Sequence, residues 1–507
     1  MNDPMLPLPG LSPVAGTAVV AKFDGGLLSS DGGVLARREI EKRLRVAGRI
    51  AACIEDPRAP DQITHTLADI IRFRLLMIAA GYEDGNDASD LRRDPLFKMA
   101  LDRAPSDRAL CSQPTISRLE NLPDVRSLLR MGRAMVDLYC ASFRQVPKRI
   151  VLDIDDTFDA VHGGQQLRLF KAHDDEYGFQ PLVVFDGEGH FVTAVLRPAK
   201  RPKGTEIRAL LRRLLRAIRA NWPMTEILIR ADSPYCGPEV IDWCRANRVD
   251  FILGVAATST LRRHVEALET STMARYAAAP KDGKVRRFKE FYDGAASWSR
   301  VERIIARVEV GDQGPDTRFI VTSLPTRNAR VLYDEVYCRR GAAANHIKSW
   351  KTHLAADRTS CTKATANQVR LFLHAGAYWL MGSLRALMPK RSPWRVAQFD
   401  TLRLRRIKIA ARVVELKTQI RLHLPTACPD QAILRVVLGR IPRLVTGSTG
   451  RTRPEPNPTR PSSNLTDHTA GPEPAPAKPC QPPFTNRQIG PFEQASSRLG
   501  EFLRLRL

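Results

Sequence analysis

The sequence has nine cysteines but no Cys-x-x-Cys pair. That absence argues against a zinc ribbon, and the scattered thiols argue against a secreted disulfide framework; a reducing cytoplasm fits. Acidic residues are in deficit, 54 Asp and Glu against 79 Lys and Arg, for a formal net charge of +25 and a pI of about 10.1. An excess of that size points to a polyanionic partner, with nucleic acid ahead of an anionic membrane surface. Long apolar runs are missing too. The most apolar windows, Ile70 to Ala80 and Leu371 to Leu380, carry or adjoin charge and are too short to span a bilayer, so both read as buried helices. Met1 to Gly16 has no basic stretch leading into an apolar run, and no signal peptide is expected. No repeat of solenoid period is apparent. What the chain does have is an ordinary hydrophobic fraction of 43% and 507 residues, enough for more than one domain.

Residues 1–148 read as mostly helical. Helices are predicted over Val34 to Val46, over Gln62 to Ala80 with Ile63, Leu67, Ile70, Ile71, Leu75 and Ile78 as the apolar side, and from Pro95 to Leu101. Pro114 suits the first turn of a short helix, and Asp124 can cap the next, which runs to Phe143. Short helix, turn and longer helix suit a DNA-docking element with Ser117 and Arg118 exposed, and suit ordinary helical packing equally. From Pro147 the period changes. Arg149 to Thr157, Pro181 to Asp186 and His190 to Leu196 read as an antiparallel meander. A helix over Thr205 to Ala220, a strand over Glu226 to Ala231, a helix over Pro238 to Asn247 and a strand over Asp250 to Val255 follow. That order predicts an α/β fold with a ribonuclease H-like core, 149–255 resumed over 314–390.

Residues 256–313 read as a β-rich insertion interrupting the core, since charge alternates with apolar residues from Trp298 to Val310. A basic C-terminal region, 391–445, contains a strand near Phe399 to Ile409 followed by a helix, and another helix over Asp430 to Leu438. Ten prolines fall between 446 and 484. Such a segment cannot bury enough apolar surface to order itself, so 446–487 is read as a disordered linker and 488–507 as a short closing segment.

Two stretches carry candidate chemistry. Asp153, Asp155 and Asp156 lie on the first strand, with Asp153 and Asp155 on one face and Asp156 on the other. Carboxylates on an otherwise apolar strand need a partner, either a metal ion or one of the many arginines. Asp232 ends the fourth strand. The second stretch, Tyr337 to Lys351, read as a helix, sets Tyr337, Arg340, Ala344, Ile347 and Lys351 on one stripe. Singly, the tyrosine and the two cations would be ordinary surface residues; together they suit a phosphate backbone. His346 and Trp350 read as helix packing or as DNA-proximal.

Tyr-x2-Arg-x3-Glu-x6-Lys resembles the signature of the insertion-sequence DDE transposases, and this chain keeps Tyr337, Arg340 and Lys351 at those spacings with Ala344 in place of the Glu. Together with Asp153 to Thr157, Arg230 to Ser233 and Asp357 to Cys361, the resemblance is closest to insertion-sequence family 1380 and covers about residues 150 to 425. It implies that Asp155 and Asp232 bind two Mg²⁺ ions, for which Mn²⁺ can substitute, with Asp153 as the fallback for Asp155. It implies that Tyr337, Arg340 and Lys351 contact phosphates, and that Trp298 stacks on an unpaired base unless it is sheet core. The helical N-terminus would recognise transposon ends. The implied partners are double-stranded DNA, as terminal inverted repeats and target, and a second copy in a synaptic dimer, in a bacterial cytoplasm at the nucleoid, with no membrane. The implied activity is metal-dependent strand cleavage and strand transfer, impaired here by Ala344. The intact flanking motif favours a deliberate Glu-to-Ala change over a decayed copy. Two other readings stay open: a non-catalytic DNA-binding protein derived from a transposase, and a ribonuclease H-fold nuclease that cuts without joining.

Overall fold

The computed structural model describes residues 10–278, 283–325 and 328–441. The proline-rich 446–487 and the segment 488–507 lie outside the described residues. Among the described residues no helix is long and apolar enough to cross a membrane.

The chain begins with helices α1 (Val34–Leu44), α2 (Val46–Ala51), α3 (Leu67–Ala80), α4 (Pro95–Ala100), α5 (Gln113–Asn121) and α6 (Val125–Ala141). Side-chain caps set several of these starts. Asp94 accepts from the amides of Leu96 and Phe97, and Asp124 Oδ1 accepts from Ser127 N at 2.7 Å. The helix expected from Gln62 instead starts at Leu67, because Thr66 caps it by accepting from Asp69 N at 3.1 Å. The helix expected to reach Val46 stops at Leu44. Arg45 takes the left-handed conformation (φ 53°, ψ 37°) and turns the chain into α2. α3 is buried along almost its whole length, and its Arg74 meets Glu120 of α5 at 3.6 Å inside the core.

The central sheet has eight strands: β1 (Arg149–Asp156), β2 (Leu182–Asp186), β3 (Phe191–Val195), β4 (Glu226–Ala231), β5 (Asp250–Val255), β6 (Val285–Asp293), β7 (Glu302–Gly311) and β8 (Gly314–Thr322). Their spatial order is β6-β7-β8-β5-β4-β1-β2-β3. β4 pairs parallel with both β1 and β5, and all other pairings are antiparallel. β1, β2 and β3 thus form the expected meander, with parallel strands β4 and β5 beside it. α7 (Gly204–Asn221) joins β3 to β4, and α8 (Pro238–Ala246) joins β4 to β5. α7 buries Ile207, Leu211, Leu214, Leu215 and Ile218 at helical spacing and turns its arginines outward or to the rim. A small sheet of Asp159–Ala160, Leu169–Lys171 and Glu176–Phe179 between β1 and β2 was not expected.

Residues 256–313 differ from the β-rich reading in two ways. They open with a 20-residue helix, α9 (Ser259–Ala278). Their strands form no sheet of their own, because β8 pairs with β5 from Phe319 opposite Val255 to Thr322 opposite Ile252 and so extends the central sheet. The alternation of charge was real, but the charges are paired rather than solvated. Glu302, Arg303, Arg307 and Glu309 of β7 are all buried, and they meet Arg245, Glu290, Asp316 and Arg286 respectively.

α10 (Ala342–Lys351) is followed by α11 (Ala364–Leu387), which is buried on most faces and packs against α3. The strand expected over Phe399 to Ile409 is instead helix α12 (Phe399–Arg406). Its buried residues, Phe399, Leu402 and Arg406, are spaced three and four apart, which fits a helix and not an alternating strand. The strands come later: Ala411–Glu415 pairs with Leu27–Ser29 from the other end of the chain on one side and with Ile420–His423 on the other. α13 (Gln431–Arg440) ends the described chain close to where a helix was expected.

Candidate active site

Strand register brings the two acids together. β1 and β4 run parallel, and their last paired residues are Ile154 and Ala231. The next residue on each strand is an aspartate, Asp155 and Asp232, so both leave the carboxyl ends of adjacent strands, where ligands of open α/β sheets gather. Arg340 bridges them: its Nη1 is 3.0 Å from Asp155 Oδ2 and its Nη2 is 2.7 Å from Asp232 Oδ1. Tyr337 donates its hydroxyl to Asp232 Oδ1 at 3.1 Å. The Asp156 amide donates to Asp155 Oδ1 at 3.0 Å. Burial pushes the Asp155 carboxyl up to about 7; Arg340 opposes that, while the charges of Asp232 and Asp156 add to it. Burial, with Asp232 next, also raises the Tyr337 hydroxyl, which therefore stays a donor.

Asp153 and Asp156 are committed elsewhere. Asp153 is buried and receives Arg230 in a two-point ion pair, Nε to Oδ1 at 2.6 Å and Nη2 to Oδ2 at 2.7 Å. Arg230 also donates from Nη1 to the carbonyl of Val336 at 2.7 Å. Asp153, the fallback for Asp155, is therefore an arginine-paired carboxylate inside the sheet. Asp156 accepts from Gln180 at 2.7 Å and from the Tyr235 hydroxyl at 2.8 Å.

The stretch Tyr337 to Lys351 is not one α-helix. Val331–Tyr337 is wound as a π-helix, Cys338–Gly341 as a 3₁₀ turn, and only Ala342–Lys351 is α-helical. Single π turns recur at functional sites, where they re-aim side chains. The change of pitch breaks the uniform stripe. Tyr337 and Arg340 turn towards the acids, Ile347 is buried, and Ala344 is exposed. Lys351 is held from behind: its Nζ lies 3.5 Å from Asp159 Oδ1 and donates to the Phe158 carbonyl. Burial pushes the Asp159 carboxyl up to about 8; Lys351 opposes that, and Asp357 adds to it.

Carboxylate oxygen is what a hard divalent cation prefers, but among the described residues no group of three or more His, Cys, Asp or Glu is placed to hold a metal ion. Two carboxylates lie within reach of one guanidinium, and one of them, the half-buried Asp155, is drawn towards its neutral form.

The other residues singled out from the sequence lie apart from these hydrogen bonds. Trp298 sits in the turn between β6 and β7, half-buried and packed on the main core, and is not inside a strand. On α5, Arg118 is exposed, while Ser117 is half-buried rather than exposed as expected. His346 fits against Gly189, and Trp350 is buried near Phe191, which agrees with helix packing for both. Sequence reasoning gave no role to Arg230 or Asp159. The only signal for either was a charged residue on or beside an apolar strand.

A model of the transposase DDE domain, group 1, matches residues 11–446. No curated protein matches the chain. Among solved structures, a cryo-electron microscopy structure of the piggyBac transposase synaptic complex with hairpin DNA is similar at 13% identity, covering 83% of this chain and 87% of that one, with a TM-score of 0.36.

Proposed function

The chain belongs to the group 1 family of transposase DDE domains, and from that premise we propose that it binds the terminal inverted repeats of a mobile element and is built to cut and join DNA strands there. The observation that carries this reading is the parallel register that ends β1 and β4 in Asp155 and Asp232, joined by Arg340. The core is read as ribonuclease H-like, supported by the strand order β3-β2-β1-β4-β5 and its parallel and antiparallel pairings. The branch is read as insertion-sequence family 1380, supported by the spacing of Tyr337, Arg340 and Lys351.

Asp155 and Asp232 would hold Mg²⁺ or Mn²⁺, which when bound activates an oxygen nucleophile and neutralises charge at phosphorus. Arg340 is the counter-ion of both acids when nothing else is. A cation there would replace the guanidinium as counter-ion, and the planar fork of Arg340 is suited to a phosphate oxygen. Tyr337 holds Asp232 in place. Lys351 reaches DNA only by leaving Asp159. The helical N-terminus, with Arg118 and Ser117, is assigned to recognition of the element ends, and a synaptic dimer would present two ends together.

Ala344 stands where the signature has Glu, so this chain is proposed to bind DNA and cut it poorly. The test compares this chain with its Ala344→Glu variant on a terminal-repeat duplex with Mg²⁺ or Mn²⁺. Equal binding, with cleavage and strand transfer only in the variant, is the expected result. No preference for terminal-repeat over random duplex would reject the transposase reading. Strong cleavage by the chain as it stands would reject the impairment.

A further inference from the structure

The fifteen residues from Gly10 to Asp24 form an arm that is exposed along its whole length; only Ala21 is even half-buried. Among the described residues, the backbone of this arm bonds only to itself, Val14 and Thr17 exchanging two hydrogen bonds at 2.9 Å. The arm is not polar. It carries Leu11, Val14, Val19, Val20 and Phe23, with Val20 66% and Phe23 76% exposed. Gly25 and Gly26 join it to the strand Leu27–Ser29, and Gly26 turns at a φ of 76°, which glycine adopts without strain.

The sheet that the arm enters has an edge to match it. Its strand order is Leu27–Ser29, Ala411–Glu415, Ile420–His423. All four residues of the last strand are exposed, and nothing pairs with its outer side among the described residues. Ile420 and Leu422 stand on one face, and Leu424 continues their alternation; each is between 36% and 46% exposed. An open edge with such side chains is a template for a further strand. Ala18 to Phe23 has the same period. Val19, Ala21 and Phe23 alternate with Val20 and Lys22, and valine and phenylalanine favour strands. Within one chain the arm enters at the opposite edge, two strand spacings or ~10 Å from Ile420–His423. Both arm and edge stay unpaired there.

We propose that two copies of this chain exchange arms, with Ala18 to Phe23 of each adding a strand to the open edge Ile420–His423 of the other. The choice of a second copy as occupant rests on self-complementarity. Arm and edge occur on one chain with the same apolar alternation, and neither is covered within it. A two-fold exchange covers both at once and closes, leaving no arm or edge to recruit a third copy. Arm and edge together offer about twenty residues a side, the lower end of what a stable interface uses. The exchange needs no DNA. It gives a synaptic dimer its means of assembly, and it stands whether or not the transposase reading does.

The test is sedimentation of the full chain over a concentration series, without DNA. The parent is expected to be a dimer. Val19→Asp with Phe23→Asp in the arm, or Ile420→Asp with Leu422→Asp on the edge, should each weaken the dimer at least about 100-fold, since each removes two apolar side chains from every contact. An equal mixture of the two variants is the sharper measurement. One intact arm there meets one intact edge, so dimers should return although neither variant forms them alone. That recovery also requires both variants to be folded. Met224→Asp changes an 88% exposed side chain in the turn before β4 and should leave the dimer as it was. A monomeric parent, an arm or edge variant that dimerises as the parent does, a mixture that stays monomeric, or an equal loss in Met224→Asp overturns the proposal. None of these results touches the transposase reading, which is decided by the preference for terminal-repeat duplex.

Discussion

Arg230→Met is the most demanding test of how this site is held. The substitution leaves the Asp153 carboxylate, 3% exposed, without its two hydrogen bonds. It also leaves the Val336 carbonyl without the donor that fixes the residue before Tyr337. Breaking one side of a buried ion pair costs about 3–5 kcal/mol. The double variant Arg230→Met with Asp153→Leu removes the stranded charge and should recover most of that, because an apolar pair of similar volume is often as stable as the ions it replaces. It does not return a donor to Val336. In the Ala344→Glu background, the double variant should therefore melt near the parent yet cleave poorly, since Tyr337 and Arg340 lose their anchor. Burial already raises the Asp153 carboxyl, with Arg230 acting against it. Without Arg230 the native state holds that proton to higher pH, so the stability gap between Arg230→Met and the parent should narrow as pH falls towards 4 and widen above it. Denaturant midpoints across pH, with a cleavage assay on the same preparations, read both effects. A single variant as stable as the parent, or a double variant that cleaves fully, refutes the role given to this pair.

Asp159→Asn should change the pH dependence of melting. The native Asp159 carboxyl sits at about 8 and its unfolded counterpart near 3.8, so between those values the native state holds the extra proton and stability falls as pH rises. The variant should flatten that limb, and a melting profile identical to the parent's from pH 5 to 8 would sink the assignment. Tyr337→Phe removes one hydrogen bond to Asp232, which should cost about 0.5–1.5 kcal/mol in melting. In the Ala344→Glu background it should slow cleavage by more than that loss of stability accounts for; unchanged cleavage would leave Tyr337 a packing residue.

The five strands β1 to β5 were legible because their residues alternate or run apolar between turn signals, and local pattern decides strand formation. Asp155 and Asp232 stand out as candidates for a related reason: an acid at the end of an apolar strand contradicts its neighbours. The rest turned on partners far away in sequence. Nothing local tells that β8 will pair with β5 rather than close an insertion on itself, or that Arg230, 77 residues from Asp153, will neutralise it. Asp159 follows the strand read over Arg149 to Thr157, and only the packed chain makes it a buried acid that holds Lys351.

The signature stretch shows where pattern reading stops. Spacings of three and four predict one stripe only if the pitch is constant, and here it changes twice before Ala342. The π and 3₁₀ turns rotate Tyr337 and Arg340 onto the acids while α10 keeps Ala344 and Lys348 outward. A constant α-helix would set all five residues in one row, and a single guanidinium need not then span both strand ends. The wound segment is held at Val336 by Arg230, which ties the placement of Tyr337 and Arg340 to one buried ion pair.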